Sequence, residues 1–265
     1  MTQLPTSTRQ VVLASRPQGA PSSDNFRLET VDLPQLADGE VLVRNVVMSL
    51  DPYMRGRMND VKSYVAPFEI DAPLDGGAVG EVIASRSNDV AVGQHVLHGL
   101  GWREHAVLPA KAVRVVDTDV APASTYLGVL GLTGLTAYFG LMELGKPTEG
   151  ETVLVSGAAG AVGSIAGQIA KIAGARVVGI AGGPHKCQAV VEEFGFDACI
   201  DYRNDDVPAA RRNTKRNRST VAWSAHCRSS RTRTVGCWAR SSAIAAKMSC
   251  GWPLPANAVR AAGVR

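Results

Sequence analysis

Residues 151–175 read ETVLVSGAAGAVGSIAGQIAKIAGA, and the rest of the chain is organised around them. Thr152-Val153-Leu154-Val155 is a short apolar run of the kind that forms a buried strand. The run breaks at Ser156-Gly157, and glycines fall at Gly157, Gly160 and Gly163. The chain resumes with Ile165, Ala166, Ile169, Ala170, Ile172 and Ala173, which fits helical spacing with small residues on the side that must lie close to a sheet. Strand, glycine turn and helix in this order make a dinucleotide-binding opening. A turn without Cβ atoms lets a pyrophosphate approach the backbone, while the first helical N–H groups and the helix dipole meet its charge. Gly-rich turns also close ordinary strand–helix joints, so the flanking pattern matters. A second strand at Arg176-Val177-Val178-Gly179-Ile180-Ala181, a helix near 186–194 and a third strand near 198–201 follow, which favours the nucleotide reading.

The cofactor narrows to NADP(H). An NAD site places an acidic residue at the end of the second strand, about 20 residues beyond the glycines, to hold the ribose 2′-hydroxyl. Here that place reads Gly182-Gly183-Pro184-His185-Lys186. No carboxylate stands there to repel a 2′-phosphate, and Lys186 is available to pair with one, unless it is simply a solvated lysine at a helix start.

A chain of 265 residues suggests one large or two modest domains. It has no run of 18 apolar residues, so no membrane span is expected, and MTQLPTSTRQ at the start lacks an apolar signal core, so a soluble cytoplasmic protein is expected. Cys187, Cys199, Cys227, Cys237 and Cys250 form no CxxC pair and no zinc spacing, and read as reduced thiols. The formal charge of +4 conceals a division. Residues 211–265 hold 12 of the 28 Lys+Arg and none of the 24 Asp+Glu, which leaves 16 basic against 24 acidic residues in 1–210, a net of −8. Three of the five cysteines and three of the four tryptophans also fall in those last 55 residues. An acidic globular protein ends near Ala210 and a different composition begins.

Residues 10–50 alternate apolar and polar character, as in Gln10-Val11-Val12-Leu13-Ala14 and Val41-Leu42-Val43-Arg44-Asn45-Val46-Val47, punctuated by Pro34, Asp38 and Gly39. With further strands predicted at 77–84, 94–97, 104–108 and 113–116, this is a β-rich N-terminal domain. Between its strands lies Ser49-Leu50-Asp51-Pro52-Tyr53-Met54-Arg55-Gly56-Arg57-Met58, predicted as a loop or short helix. Tyr53, Met54 and Arg55 are candidates to line a substrate pocket, because Met and Tyr offer adaptable apolar surface and arginine binds anions. The alternative is that Tyr53 and the methionines pack the core while the arginines stay wet. The stretch 125–144 is apolar with four glycines, has a helix start near 133–136, and leads into Gly145-Lys146-Pro147, which looks like a linker. His95, His98 and His105 invite a metal reading, but three residues apart on a strand or turn His95 and His98 do not share a face, and no metal site is expected.

These features together resemble the medium-chain dehydrogenase/reductase superfamily, in its zinc-independent NADP(H)-dependent double-bond reductase branch of 2-alkenal, prostaglandin/leukotriene and curcumin reductases. The resemblance rests on SLDPYMRGRM (49–58), PLDGGAVGEV (73–82), GLTGLTAYFGL (131–141), VSGAAGAVGSIAGQIAK (155–171) and GFDACIDY (195–202), within residues 10–208. It implies an α/β protein: a GroES-like β-domain over 1–125, then a Rossmann-type NADP-binding domain of which 126–210 is the first half. It implies that Gly160, Ala161, Val162 and Gly163 bind the NADP pyrophosphate, next to Gly157 of the same glycine turn, that Lys186 binds the 2′-phosphate, and that Tyr202 sits beside that phosphate. The reaction it implies is hydride transfer to the β-carbon of an α,β-unsaturated aldehyde or ketone, a small-molecule enal or enone. Zinc enzymes of the superfamily carry Gly-His-Glu where this chain has Asp75-Gly76-Gly77 and a cysteine ligand near Leu50-Asp51, so zinc is not implied. No catalytic residue is assigned, because by resemblance the catalytic acid lies beyond Ala210.

Beyond Ala210 the resemblance stops. Residues 211–265 show neither helical nor strand periodicity, and the Rossmann domain is expected to be incomplete, with a disordered basic tail. Ten arginines and two lysines suit a nucleic-acid-binding tail. Out-of-frame translation of a GC-rich gene gives the same composition, and the abruptness of the change favours it, so nucleic acid is not expected as a partner. On this reading the third strand, or its neighbour at the switch point, presents an unpaired edge, nicotinamide placement is lost, and the chain is impaired or inactive. Family members are often homodimers, and the break near Ala210 argues against carrying that over.

Overall fold

A computed structural model describes residues 3–61, 65–214, 220–224 and 233–236. The chain divides into two compact units, Met1–Leu127 and Gly128–Arg265. Gly145-Lys146-Pro147, read above as a linker, is a turn inside the second unit.

In the first unit, β1 (Ser7–Leu13) pairs antiparallel with β2 (Phe26–Asp32). The other strands are β3 (Glu40–Met48), β4 (Ala78–Ser85), β5 (His95–His98), β6 (His105–Pro109) and β7 (Arg114–Val116). They form one antiparallel sheet in the order β6-β3-β4-β5-β7. Val41, Val43, Val82, Val96, Ala106 and Leu108 meet on its buried face, each fully buried valine contributing about 1.5–3 kcal/mol. The segment between β3 and β4 opens with the short helix α1 (Pro52–Arg57), where Pro52 at the first helical position sets the entry angle.

The second unit begins with α2 (Leu132–Tyr138), continued by a wider π-type turn over Phe139–Gly145. Then come β8 (Thr152–Ser156), α3 (Ala161–Ile172), β9 (Arg176–Ala181), α4 (Pro184–Glu192), β10 (Ala198–Asp201) and α5 (Val207–Thr214). Alternation along β8 sends Val153 and Val155 to one face, against Ala137, Ala166, Ala170 and Val190, and Leu154 to the other, against Val178, Ile200, Val207 and Ala210. Helices therefore cover both faces, with α2, α3 and α4 on one and α5 on the other. This is the doubly wound arrangement of a Rossmann-type domain.

The change near Ala210 looks different in the structure. Helix α5 runs on to Thr214, and two more strands follow, β11 (Thr220–Ser224) and β12 (Arg233–Gly236). β11 pairs parallel with β8, and β12 parallel with β11, giving the order β10-β9-β8-β11-β12. The expected unpaired strand at the switch point is thus replaced by pairing of Thr220 with Thr152 through Trp223 with Val155. Thr-Val-Ala-Trp is rich in β-branched and aromatic residues, and the open edge of β8 offers it a full row of backbone partners. The rest of the basic tail lies outside the described residues.

Candidate functional site

In an open parallel sheet, ligands bind beyond the carboxyl ends of the strands where the strand order reverses, which here is between β8 and β11. The glycine turn stands there. Gly157 leaves β8 at φ +65°, the Gly160 N–H donates to the Gly157 carbonyl at 2.9 Å, and the Ala158 N–H donates to the Ile180 carbonyl of β9 at 3.1 Å. Gly160 caps α3 in an extended conformation with no side-chain cap and no acidic residue in the first turn. The Ser164 N–H to Gly160 carbonyl bond, 2.9 Å, is the first of the helical ladder, so the N–H groups ahead of it point out of the helix end with no carbonyl four residues back. A Cβ on Gly163 would collide with the Gly157 carbonyl and come within 3.1 Å of the Ala158 Cα. Gly163 is therefore the buried support of the turn, while Gly157, Gly160, Ala161 and the half-buried Val162 form its front. This cradle fits a pyrophosphate: bare backbone, outward N–H groups and the positive end of a 12-residue helix.

At the end of β9 the chain turns through Gly182 and Gly183 into α4, which places the exposed Lys186 in the first helical turn. Tyr202, 56% exposed, lies with its hydroxyl over Gly182, where a Cβ would strike the ring. The structure therefore brings Lys186 and Tyr202 to the same end of the sheet.

Two residues there escaped the sequence reading. The carboxylate of Asp201, 9% exposed, accepts the Gly183 N–H at 2.7 Å, the Arg203 N–H at 3.1 Å and the Asn204 side-chain amide at 2.6 Å. These bonds, led by that from Gly183, hold its pKa below the ordinary carboxylate range. Asp201 is engaged by the turn and ends β10, whereas a carboxylate of the NAD-selecting kind ends the second strand. Arg203 is the second: its Nη1 lies 3.8 Å from where a Gly183 Cβ would be. Both flank Tyr202 in the sequence, and that adjacency was the available signal.

In the first unit, Tyr53 lines an open cleft of about 470 Å3 together with Asp75, Gly76, Gly77, Gly99 and Leu100. Met54, 3% exposed, instead packs with Leu13, Met58, Phe68 and Leu74, and Arg55 donates to the carbonyls of Pro17 and Gly19 and to Asn59. A Cβ at Gly76 would run into the terminal methyl of Met54. Arg57 pairs with Asp75 through two hydrogen bonds and lies 3.9 Å over the ring of Phe68.

His95 and His98 stand at the two ends of β5, His95 within 3.3 Å of the Thr118 hydroxyl and His98 accepting the Leu100 N–H through Nδ1 at 3.1 Å. Among the described residues no cluster of His, Cys, Asp or Glu is arranged to hold a metal. Burial, with the Arg103 charge, pushes the His98 pKa down to about 4. Among the described residues no helix is long and apolar enough to cross a membrane.

Two family models match the chain: one described as the N-terminal domain of oxidoreductase over residues 9–116, the other as zinc-binding dehydrogenase over residues 161–239. The second match extends past Ala210 to residue 239, so this likeness runs beyond the change of composition near Ala210. The NADPH-dependent curcumin reductase of Escherichia coli (strain K12) is 46% identical over 198 residues, covering 75% of this chain and 57% of that protein. The NADP(+)-dependent 2-alkenal reductase of Nicotiana tabacum is 38% identical over 211 residues, covering 77% of this chain and 61% of that one. The chain thus spans about three fifths of the length of the curated relatives it matches. The crystal structure of CurA from Vibrio vulnificus in complex with NADPH superposes with a TM-score of 0.73 at 37% identity, over 91% of this chain and 79% of that one.

Proposed function

The chain belongs to the medium-chain dehydrogenase/reductase superfamily, in its NADP-dependent double-bond reductase branch, and we propose that it reduces the C=C bond of an α,β-unsaturated aldehyde or ketone with NADPH. The observation that carries this reading is the pairing of two features on one sheet. A bare glycine cradle stands at the switch point, the turn after β9 leads to Lys186 in the first turn of α4, and Tyr202, just past β10, lies over that turn at Gly182. The names of the relatives, a curcumin reductase and a 2-alkenal reductase, supply the substrate class.

The chain's own residues bind and orient. Gly157 and Gly160 leave the front of the turn open to the pyrophosphate, the N–H groups of Ala161 and Val162 at the start of α3 donate to it, and Gly163 keeps the helix end close behind. Lys186 pairs with the 2′-phosphate, and the Tyr202 ring lies beside it. When bound, NADPH supplies the hydride that adds to the β-carbon of the substrate, whose α-carbon then takes a proton. Tyr53, which lines the cleft of the first unit, offers the face of its ring to the unsaturated substrate.

The test is to follow loss of reduced nicotinamide absorbance with 2-hexenal or a chalcone-type enone and to identify the product by mass and NMR. The saturated carbonyl compound is expected. Formation of an allylic alcohol, or no consumption with any enal or enone, would overturn the reading.

A further inference from the structure

We propose that Arg203 is a second cation for the cofactor's 2′-phosphate, held over the Gly182-Gly183 turn by Asp201; the proposal rests on the NADP(H) reading above. β9 and β10 run parallel, with Asp201 opposite Ala181, so the two strands end side by side. The residues that follow them, Gly182-Gly183 and Tyr202-Arg203, therefore share one edge of the sheet. The Tyr202 N–H donates to the Ala181 carbonyl at 3.1 Å, which fixes that alignment one residue beyond the ladder.

Asp201 then ties the two chain segments together. Its Oδ1 accepts N–H groups from both of them, Gly183 at 2.7 Å and Arg203 at 3.1 Å. Its Oδ2 accepts from Asn204, and its own N–H donates to Asp205 at 2.9 Å. Gly183 sits at φ +96°, a conformation that side chains rarely adopt, and having no side chain it leaves the space above the turn open. Arg203 reaches towards that space, with Nη1 3.8 Å from the absent Cβ. Gly183 also caps α4, whose first turn is closed by the Cys187 N–H to Gly183 carbonyl bond at 3.2 Å and carries Lys186. Gly183 thus has the Arg203 guanidinium over it and begins the helix whose first turn carries Lys186. Among the described residues the Arg203 guanidinium makes no ion pair within 4.0 Å, and its charge adds to the lowering of the Asp201 pKa.

The chemistry discriminates. A phosphate accepts the planar fork of an arginine alongside a lysine point charge, whereas a 2′-hydroxyl gains little from either. Asp201 is a positioning residue in this scheme, acting on the ligand through the turn and through Arg203.

The experiment uses the full chain and two probes that differ only in the 2′-phosphate, 2′,5′-ADP and 5′-AMP, measured by calorimetry. The wild type is expected to prefer 2′,5′-ADP. Arg203→Ala should weaken 2′,5′-ADP about tenfold and 5′-AMP less than about twofold, with Arg203→Lys restoring part of the loss. Asp201→Asn should weaken 2′,5′-ADP severalfold in the wild-type background and hardly at all in the Arg203→Ala background, a coupling that a merely structural residue does not give. If Lys186→Ala abolishes the preference while Arg203→Ala leaves it intact, this proposal is overturned and the cofactor reading stands. If the wild type binds both probes equally, the NADP(H) reading falls and the proposal falls with it.

Discussion

The Asp201 carboxylate lies 2.7 Å from the backbone nitrogen of Gly183, across the gap between the ends of two adjacent parallel strands. That bond, with those from Arg203 and Asn204, favours the charged form and lowers the pKa of Asp201 in the folded protein. The stabilisation is therefore present above the unfolded value, about 3.9, and is lost as pH falls through the lower folded value. The Gly183 amide resonance should stay constant from neutral pH down to about 5 and move only below about 4. Movement between 4 and 6 would contradict the bonding described.

Gly163→Ala tests the cradle. The added Cβ meets the Gly157 carbonyl and the Ala158 Cα, both backbone, so the turn or the helix end must shift. A cost of about 2 kcal/mol or more is expected, with loss of NADPH binding. Thermal melting and fluorescence titration of the variant check both; a wild-type melting temperature with undiminished binding would refute the close approach.

His98 gives the first unit a pH signature. It is 6% exposed, and its folded pKa of about 4 lies below the ordinary 6.5. Between these values the unfolded chain binds a proton that the folded chain does not, so stability rises with pH across that window, by up to about 3 kcal/mol from this group. The urea midpoint, followed by near-ultraviolet circular dichroism from pH 4 to 7, should climb in the wild type and climb less in His98→Gln. Identical slopes would show that His98 is not the buried neutral group.

Arg57→Lys probes the wall beside the Tyr53 cleft. The Arg57 side chain, 14% exposed, binds both oxygens of Asp75, donates to the Ala66 carbonyl at 2.8 Å and stacks on Phe68. Lysine keeps the charge but loses the fork and the stacking, so a loss of about 1–2 kcal/mol is expected in urea denaturation. An unchanged midpoint would mean that charge alone matters there.

Much of this was legible in the chain. Val153 and Val155 against Leu154, followed by three spaced glycines, specify strand, turn and helix because burial and close approach leave few other solutions. The absence of an acidic residue at 182–186 was equally readable. Asp201 and Arg203 were not, because their roles depend on β10 ending in register with β9, a long-range fact that no local pattern carries. Met54 and Arg55 illustrate the reverse: one short helix with polar and apolar residues gives no sign of which face the core will claim. The strand at 220–224 was hidden for a third reason. Its residues have no distinctive alternation of their own, and the open edge of β8 supplies the pairing.

The most direct test of the account is the affinity of the full chain for NADPH against NADH, titrated by nicotinamide fluorescence at one ionic strength. The 2′-phosphate is the one difference between the ligands, and the cationic turn at Gly183 predicts that NADPH binds at least about tenfold more tightly. Equal affinities, or tighter binding of NADH, would contradict it.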